Sequence, residues 1–266
     1  MRKINDLEEI QKILLDILIE FDAFCEENNL RYFLGFGTLL GAVRHQGFIP
    51  WDDDIDVCMP RPDYERFLEL TKVELSGHLK TLSPGSPGYP FPFAKVIDIR
   101  TKMKEPRLLK KNETSLFMDV FPIDGYPTDE REGERHFAKI QSTREFYSKG
   151  LFLGATPLKT IGKSIIYGTI NFFMTENYYP KKLIKLAKKY SFEDSDTLAV
   201  AGWTYGKKGK VEKEEYLKGQ KLKFENYYFW CPGNYEEHLK RLYGDYMKLP
   251  PVEKRVKRHV DDVWWI

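Results

Sequence analysis

The sequence predicts an α/β chain in which a mixed sheet is flanked by helices and the second half is helix-rich. Three observations carry this. Residues 5 to 29 place Leu7, Ile10, Ile13, Leu14, Ile17, Leu18, Phe21 and Phe24 at helical spacing with charges between them, the pattern of an amphipathic helix lying on a sheet. Short apolar runs at 31–36, 55–59, 93–99 and 116–121 read as strands. From Thr128 the pattern turns helical, very polar over 128–150 and apolar with basic residues over 157–190. We therefore expect a first unit over 1–127 and a helix-rich region over 128–266 packed on it.

Further elements follow in order. Arg31 to Phe36 is a strand, Gly37-Thr38 a small-residue turn, and Leu39 to Arg44 starts like a helix. Pro60 to Asp63 closes the next strand and opens a helix through Tyr64, Phe67 and Leu70, since Pro and Asp suit a helix start. The Pro/Gly/Ser segment Ser83 to Pro92 is a loop. Gln220 to Trp230 resembles a hairpin turning at Glu225-Asn226, and Asn234 with Glu237 three residues on is a cap for a last helix through Leu239 and Leu242.

Composition narrows the class. In 266 residues, 42 basic against 40 acidic side chains give no electrostatic case for nucleic-acid binding. Cys25, Cys58 and Cys231 lie far apart, so neither a disulfide framework nor a structural zinc site is indicated, and a reducing, cytoplasmic setting is expected. The N-terminal residues lack the apolar core of a signal peptide, and no stretch is long enough to span a bilayer. The basic run Lys181 to Lys189 reads as the wet face of a helix. Its sharper reading, beside the apolar 151–174 segment, is peripheral attraction to anionic lipid at the inner face of the membrane.

The most informative stretch is Trp51-Asp52-Asp53-Asp54-Ile55-Asp56. Four carboxylates in five positions repel one another unless a cation sits among them. With Ile55 and Val57 facing the core of a strand, the period of two sends Asp54 and Asp56 to the other face, an oxygen-rich site suited to Mg²⁺ or Mn²⁺. Asp52 is the auxiliary ligand, and Asp53 a solvated or capping acid. A calcium loop fails on detail: counted from Asp52, the sixth position is Val57 where Gly is needed and the twelfth is Asp63 rather than Glu. Upstream, the strand–Gly37–Thr38–helix junction gathers free backbone N–H groups that favour a phosphate. Arg44 and His45 orient phosphate or the loop itself, with packing the alternative for His45.

The run from Gly35 through Val57, with Gly35-Phe36-Gly37-Thr38-Leu39-Leu40-Gly41-Ala42-Val43-Arg44-His45 leading to Ile49-Pro50-Trp51-Asp52-Asp53-Asp54-Ile55-Asp56, resembles the signature of the LicD family of phosphotransferases. So do Phe117 to Gly125 and the stretch from Leu242-Tyr243-Gly244-Asp245 through Leu249-Pro250-Pro251 to Arg255 and His259. The resemblance covers most of the chain and is weakest over 128–216. One departure is Gln46, where the family is expected to carry a Lys. The family is similar to fukutin-related proteins and implies a polymerase-β-like nucleotidyltransferase fold, with 1–127 as the catalytic core and 128–266 on the acceptor side.

The implied activity is Mg²⁺-dependent transfer of phosphocholine from CDP-choline to a hydroxyl of a glycan precursor of teichoic-acid or lipopolysaccharide type, free or lipid-linked, with CMP released. Transfer of this kind needs carboxylates from neighbouring strands. Asp119 is the candidate third one, its apolar neighbours making an unpaired acid costly. Its residues alone fit an ion pair equally well, and the resemblance tilts it toward metal ligand or general base. Lys95 and Arg100 could hold donor phosphates, or either could be the counter-ion of Asp98. Arg255 and His259 enter through the resemblance alone. Rings to form a choline cage are Trp51, Tyr89, Phe91, Trp203 and Tyr205. The competing readings are transfer of glycerol or ribitol phosphate and a catalytically silent glycan-binding protein.

Overall fold

The computed structural model describes residues 1–72, 75–104, 113–151, 178–202, 206–256 and 262–266. In chain order, the first elements are β1 (Arg2–Ile4), α1 (Leu7–Glu27), β2 (Phe33–Leu34), α2 (Phe36–His45), β3 (Asp56–Pro60), α3 (Arg61–Leu70), β4 (Leu79–Leu82), β5 (Ala94–Asp98), β6 (Thr101–Lys104), β7 (Glu113–Thr114) and β8 (Phe117–Tyr126). The second half holds α4 (Glu130–Leu151), α5 (Tyr178–Ala187), β9 (Thr197–Ala199), β10 (Val211–Glu212), α6 (Lys213–Leu217), β11 (Gln220–Phe224), β12 (Tyr227–Cys231), α7 (Tyr235–Tyr243) and β13 (Asp262–Trp265).

The main sheet is mixed, as expected, and centres on β8. β3 runs parallel along one edge of β8, with β2 antiparallel beyond it. Along the other edge, β5 pairs antiparallel with the first half of β8 and β9 with its end, β4 and β10 lying outside them. The second half of the chain thus also supplies strands to this sheet.

Alternation along the strands sorts the two faces. Val57, Met59, Val96, Met118 and Val120 share one buried cluster with Ile10, Ile13, Leu14, Ile17, Leu18 and Phe21 of α1. This stripe, and the Asp6 carboxylate that accepts the Glu8 N–H at 3.1 Å, explain why α1 forms where it does. Cys58, Phe93, Phe121 and Ile123 face the opposite way, into a second, aromatic cluster with Phe33, Phe36, Tyr89, Phe91 and Tyr216. The site grows from this face.

The strand expected over 31–36 is paired only at Phe33–Leu34, and the helix expected from Leu39 begins three residues earlier, at Phe36, taking in Gly37 and Thr38. Close approach is the reason: a Cβ on Gly35 would lie 2.9 Å from Cys58 Sγ, so the chain leaves the strand there and caps the helix. The hairpin β11–β12 turns at Glu225-Asn226 as predicted. Asn234 precedes α7, but its side chain makes no capping bond. A small sheet, in the order β1–β13–β6–β7, was not foreseen; it joins both ends of the chain, and Trp265 Nε1 donates to Glu9 Oε1 at 2.9 Å. On α5, Lys181, Lys182 and Lys185 are exposed while Leu183 and Ala187 are buried, and Lys188 and Lys189 meet Glu65 and Glu132. The 152–174 part of the apolar segment lies outside the described residues.

Candidate active site

Three neighbouring strands place three charged side chains in one transverse row. Asp56, the first residue of β3, is in parallel register with Asp119 of β8, and Asp119 is in antiparallel register with Lys95 of β5. Residues paired across adjacent strands point to the same face, here that of Cys58 and Phe121. Lys95 Nζ lies 2.7 Å from Asp119 Oδ1. Lys95 is only 5% exposed. A buried ammonium needs compensation, and besides the carboxylate it has aromatic faces at 3.1 Å (Phe117), 5.0 Å (Phe91) and 5.8 Å (Phe93) from ring centroids. Of the two roles open to Lys95, partner of Asp98 is therefore excluded. Arg100 takes that place, with Nη2 2.6 Å from Oδ2 of the fully buried Asp98 and its cation 5.6 Å from the Trp265 ring.

Backbone bonds fix Asp56 from both sides. Gly35 N–H donates to Asp56 O at 2.9 Å and Asp56 N–H donates to Thr38 Oγ1 at 2.8 Å, while Asp119 N–H reaches Ile55 O at 2.9 Å. Thr38, expected in a phosphate cradle, thus anchors the acidic strand to the first turn of α2. Gly37 lies in the same turn, and a Cβ there would come within 3.0 Å of Asp52 Oδ2. Phe36 begins this turn at a φ of 42°, rare for an aromatic residue and of the kind that collects at functional sites.

Asp54 precedes β3 rather than standing within it, because the β8 ladder starts at the Asp56–Asp119 pair. The alternation nevertheless holds through the entry segment: Asp52, Asp54 and Asp56 are half-buried, while Asp53 and Ile55 are buried. Asp53, expected from sequence as a solvated or capping acid, is not solvated: it is 1% exposed. Burial pushes the Asp56 carboxyl well above the usual carboxylate range; Asp54, Asp119 and Asp52 push in the same direction, and Lys95 opposes them. Among the described residues no three His, Cys, Asp or Glu side chains converge as a ready metal cage. In donor chemistry and in charge, however, the oxygen-only set fits a hard divalent cation.

A second cluster adjoins the acidic segment. Arg44 Nε donates to His45 Nε2 at 3.0 Å and its Nη1 donates to Tyr246 O at 2.7 Å. Trp51 sits edge-on to His45, centroids 6.4 Å apart, with the Arg255 guanidinium 5.4 Å from its ring centroid. Arg255 therefore reaches the residue next to Asp52, and its Nε donates to Pro250 O at 2.9 Å. Burial and then Arg44 lower the His45 pKa, which favours the neutral ring. His259, Trp203 and Tyr205 lie outside the described residues. Of the other rings named for choline, Phe91 and Trp51 face Lys95 and Arg255, and Tyr89 packs edge-on to Phe91.

Sequence reasoning missed the buried fork of Arg61 on Asp124, with Nε and Nη2 at 2.6 and 2.8 Å from the two carboxylate oxygens. The apolar neighbours of Asp124 resemble those of Asp119, so the signal was present but pointed to the same chemistry twice. It also missed the phenylalanine cage of Lys95, since periodicity does not reveal which rings meet across strands.

The family model described as LicD/FKTN/FKRP, nucleotidyltransferase domain, matches residues 29–161, a span holding α2, the acidic segment, Lys95 and Asp119. Over 270 residues the chain is 34% identical to the lipopolysaccharide cholinephosphotransferase LicD of Haemophilus influenzae, with 99% of each chain covered. Shorter matches are to uncharacterized proteins of Rickettsia typhi, 50% identical over 44 residues (16% of this chain and 14% of that protein), and of Rickettsia prowazekii, 57% over 37 residues (14% of each). With half of its length under the family model and a full-length relative, the chain belongs to the LicD family.

Proposed function

We propose that this chain is a phosphotransferase that moves phosphocholine from CDP-choline to a hydroxyl of a lipopolysaccharide- or teichoic-acid-type glycan precursor, with the Asp56–Asp119–Lys95 row as its catalytic centre. The observation that carries the reading is the in-register placement of two carboxylates on parallel strands beside the first turn of a helix, in a chain similar end to end to a cholinephosphotransferase. Asp52, Asp54, Asp56 and Asp119 would hold Mg²⁺ or Mn²⁺, and the bound cation would supply the charge that neutralises phosphate oxygens.

The chain's own groups account for the rest. Lys95 is the ion-pair partner of Asp119, and a carboxylate of this row takes the proton of the acceptor hydroxyl. That oxygen forms the new P–O bond; the bond from the same phosphorus to the bridging oxygen breaks, and its electron pair leaves with CMP. The N-terminal turn of α2 would face a donor phosphate, with Arg44, bonded to Tyr246 O, and Arg255, beside Trp51, bracing the chain around it. Of the described rings considered for the quaternary ammonium, Tyr89 and Phe91 are buried and Phe91 already faces Lys95, so half-buried Trp51 is the one a choline head group would meet. Access to a lipid-linked acceptor is by peripheral contact, since no helix of the described residues is long and apolar enough to cross a membrane.

The test is a thermal-shift comparison of CDP-choline, CDP-glycerol and CDP-ribitol with and without Mg²⁺, since a ligand that binds the native state raises Tm. CDP-choline with Mg²⁺ should give the largest shift. Preference for a polyol donor would replace phosphocholine by a polyol phosphate and leave the carboxylate row in place.

A further inference from the structure

The acidic segment is reached from α2 through the turn Gln46-Gly47-Phe48, and the tip of the β11–β12 hairpin grips that turn from a point 177 residues further along the chain. Glu225 N–H donates to Gln46 O at 2.8 Å, and Glu225 Oε1 accepts the Phe48 N–H at 3.0 Å. Both turns adopt left-handed backbone at the contact, with φ of 57° at Gln46 and 54° at Glu225. Gly47 makes room: a Cβ there would fall inside the Glu225 carboxylate. Phe224 then packs edge-on to Phe48, centroids 4.9 Å apart, so the tip is held by both hydrogen bonds and ring packing. On the far side, Gln11 of α1 donates to Asp52 O at 2.9 Å. The chain from Gln46 to Asp52 is thus held at one end by the hairpin and at the other by α1.

We infer that Glu225 is a positioning residue for the reaction: through its bond to Phe48 N–H it fixes where the Asp52–Asp56 carboxylates stand relative to Asp119. Among the described residues its carboxylate bonds to the turn alone, and what matters is an acceptor oxygen of the right reach. This rests on the carboxylate row being the reaction centre.

The experiment is steady-state phosphocholine transfer by Glu225→Ala, Glu225→Gln, Glu225→Asp, Gly47→Ala and the Gly47→Ala/Glu225→Ala pair, alongside Asp56→Asn and Asp119→Asn, with Tm measured for each. Misplacement of a catalytic group by about 1 Å can cost on the order of 10²-fold. We expect Glu225→Ala and the shortened Glu225→Asp to lower kcat by roughly ten- to a hundredfold with KM for the donor nearly unchanged, and Glu225→Gln, which keeps the acceptor, to retain nearly full kcat. Gly47→Ala should match Glu225→Ala, and the pair should be no worse than either alone, because both remove one contact. Where Glu225→Ala fails to fold, Glu225→Asp against Glu225→Gln decides. Wild-type kcat in Glu225→Asp, a Gln variant as poor as the Asp variant, or fully additive losses in the pair would overturn the inference. If Asp56→Asn and Asp119→Asn are themselves fully active, the carboxylate row is at fault instead.

Discussion

Asp56 and Asp119 stand directly beside each other on parallel strands, and Lys95 flanks only Asp119. Like charges paired across strands are destabilising, and proteins keep such pairs where chemistry needs them.

The first prediction follows from the raised pKa of Asp56. Its ordinary value is 3.8 and the folded value lies well above that, so between the two the native state binds more protons than the unfolded one. Stability therefore falls as pH rises from about 4 through the folded pKa, and the full penalty stands above it. Asp56→Asn should be more stable than wild type at neutral pH, with the difference vanishing toward pH 4. Mg²⁺ should raise the Tm of wild type and not of the variant. A variant less stable than wild type at pH 7 would refute the crowding.

Lys95 gives the opposite sign. Removing one member of a buried ion pair leaves an uncompensated charge and costs about 3–5 kcal/mol. Lys95→Met should lose stability of that order in urea unfolding, and adding Asp119→Asn should recover much of it. If the two losses simply add, the pair is not coupled.

Thr38 is tested by its hydroxyl. Thr38→Val leaves the Asp56 N–H without its acceptor, a loss of about 1–3 kcal/mol, and loosens the start of β3. Transfer should fall in Thr38→Val and persist in Thr38→Ser. Equal activity in the two would assign Thr38 to packing alone.

Arg61 and Asp124 are a control away from the row, buried and bonded to each other. Asp124→Ala should lower stability by several kcal/mol while the folded fraction keeps its kcat. A fall in kcat per folded molecule would tie this fork to the reaction.

Much of the site was legible because it is local. The spacing of Asp52, Asp54 and Asp56 and the Gly37-Thr38 turn place the acidic face and a nearby helix N-terminus within one stretch of chain. Asp119 was only half legible: its apolar neighbours announce a charge that must be compensated, but that Lys95 answers it depends on β5 and β8 being adjacent. The helix start at Phe36 was misjudged by three residues because the contact between Gly35 and Cys58 Sγ is a tertiary one. The grip of Glu225 on Phe48 spans 177 residues, and the small terminal sheet rests on strands of two to four residues; neither leaves a periodic trace.

Transfer at the Asp56–Asp119 row is read out by following CMP release and phosphocholine incorporation from CDP-choline into a lipopolysaccharide acceptor with Mg²⁺ present, for wild type, Asp56→Asn and Asp119→Asn at matched folded concentrations. Wild type should give equal amounts of CMP and incorporated phosphocholine, and both variants a loss of at least ~10²-fold, as expected when a proton acceptor or a charge-stabilising group is removed. Turnover by either variant within a few-fold of wild type would contradict transfer at this row.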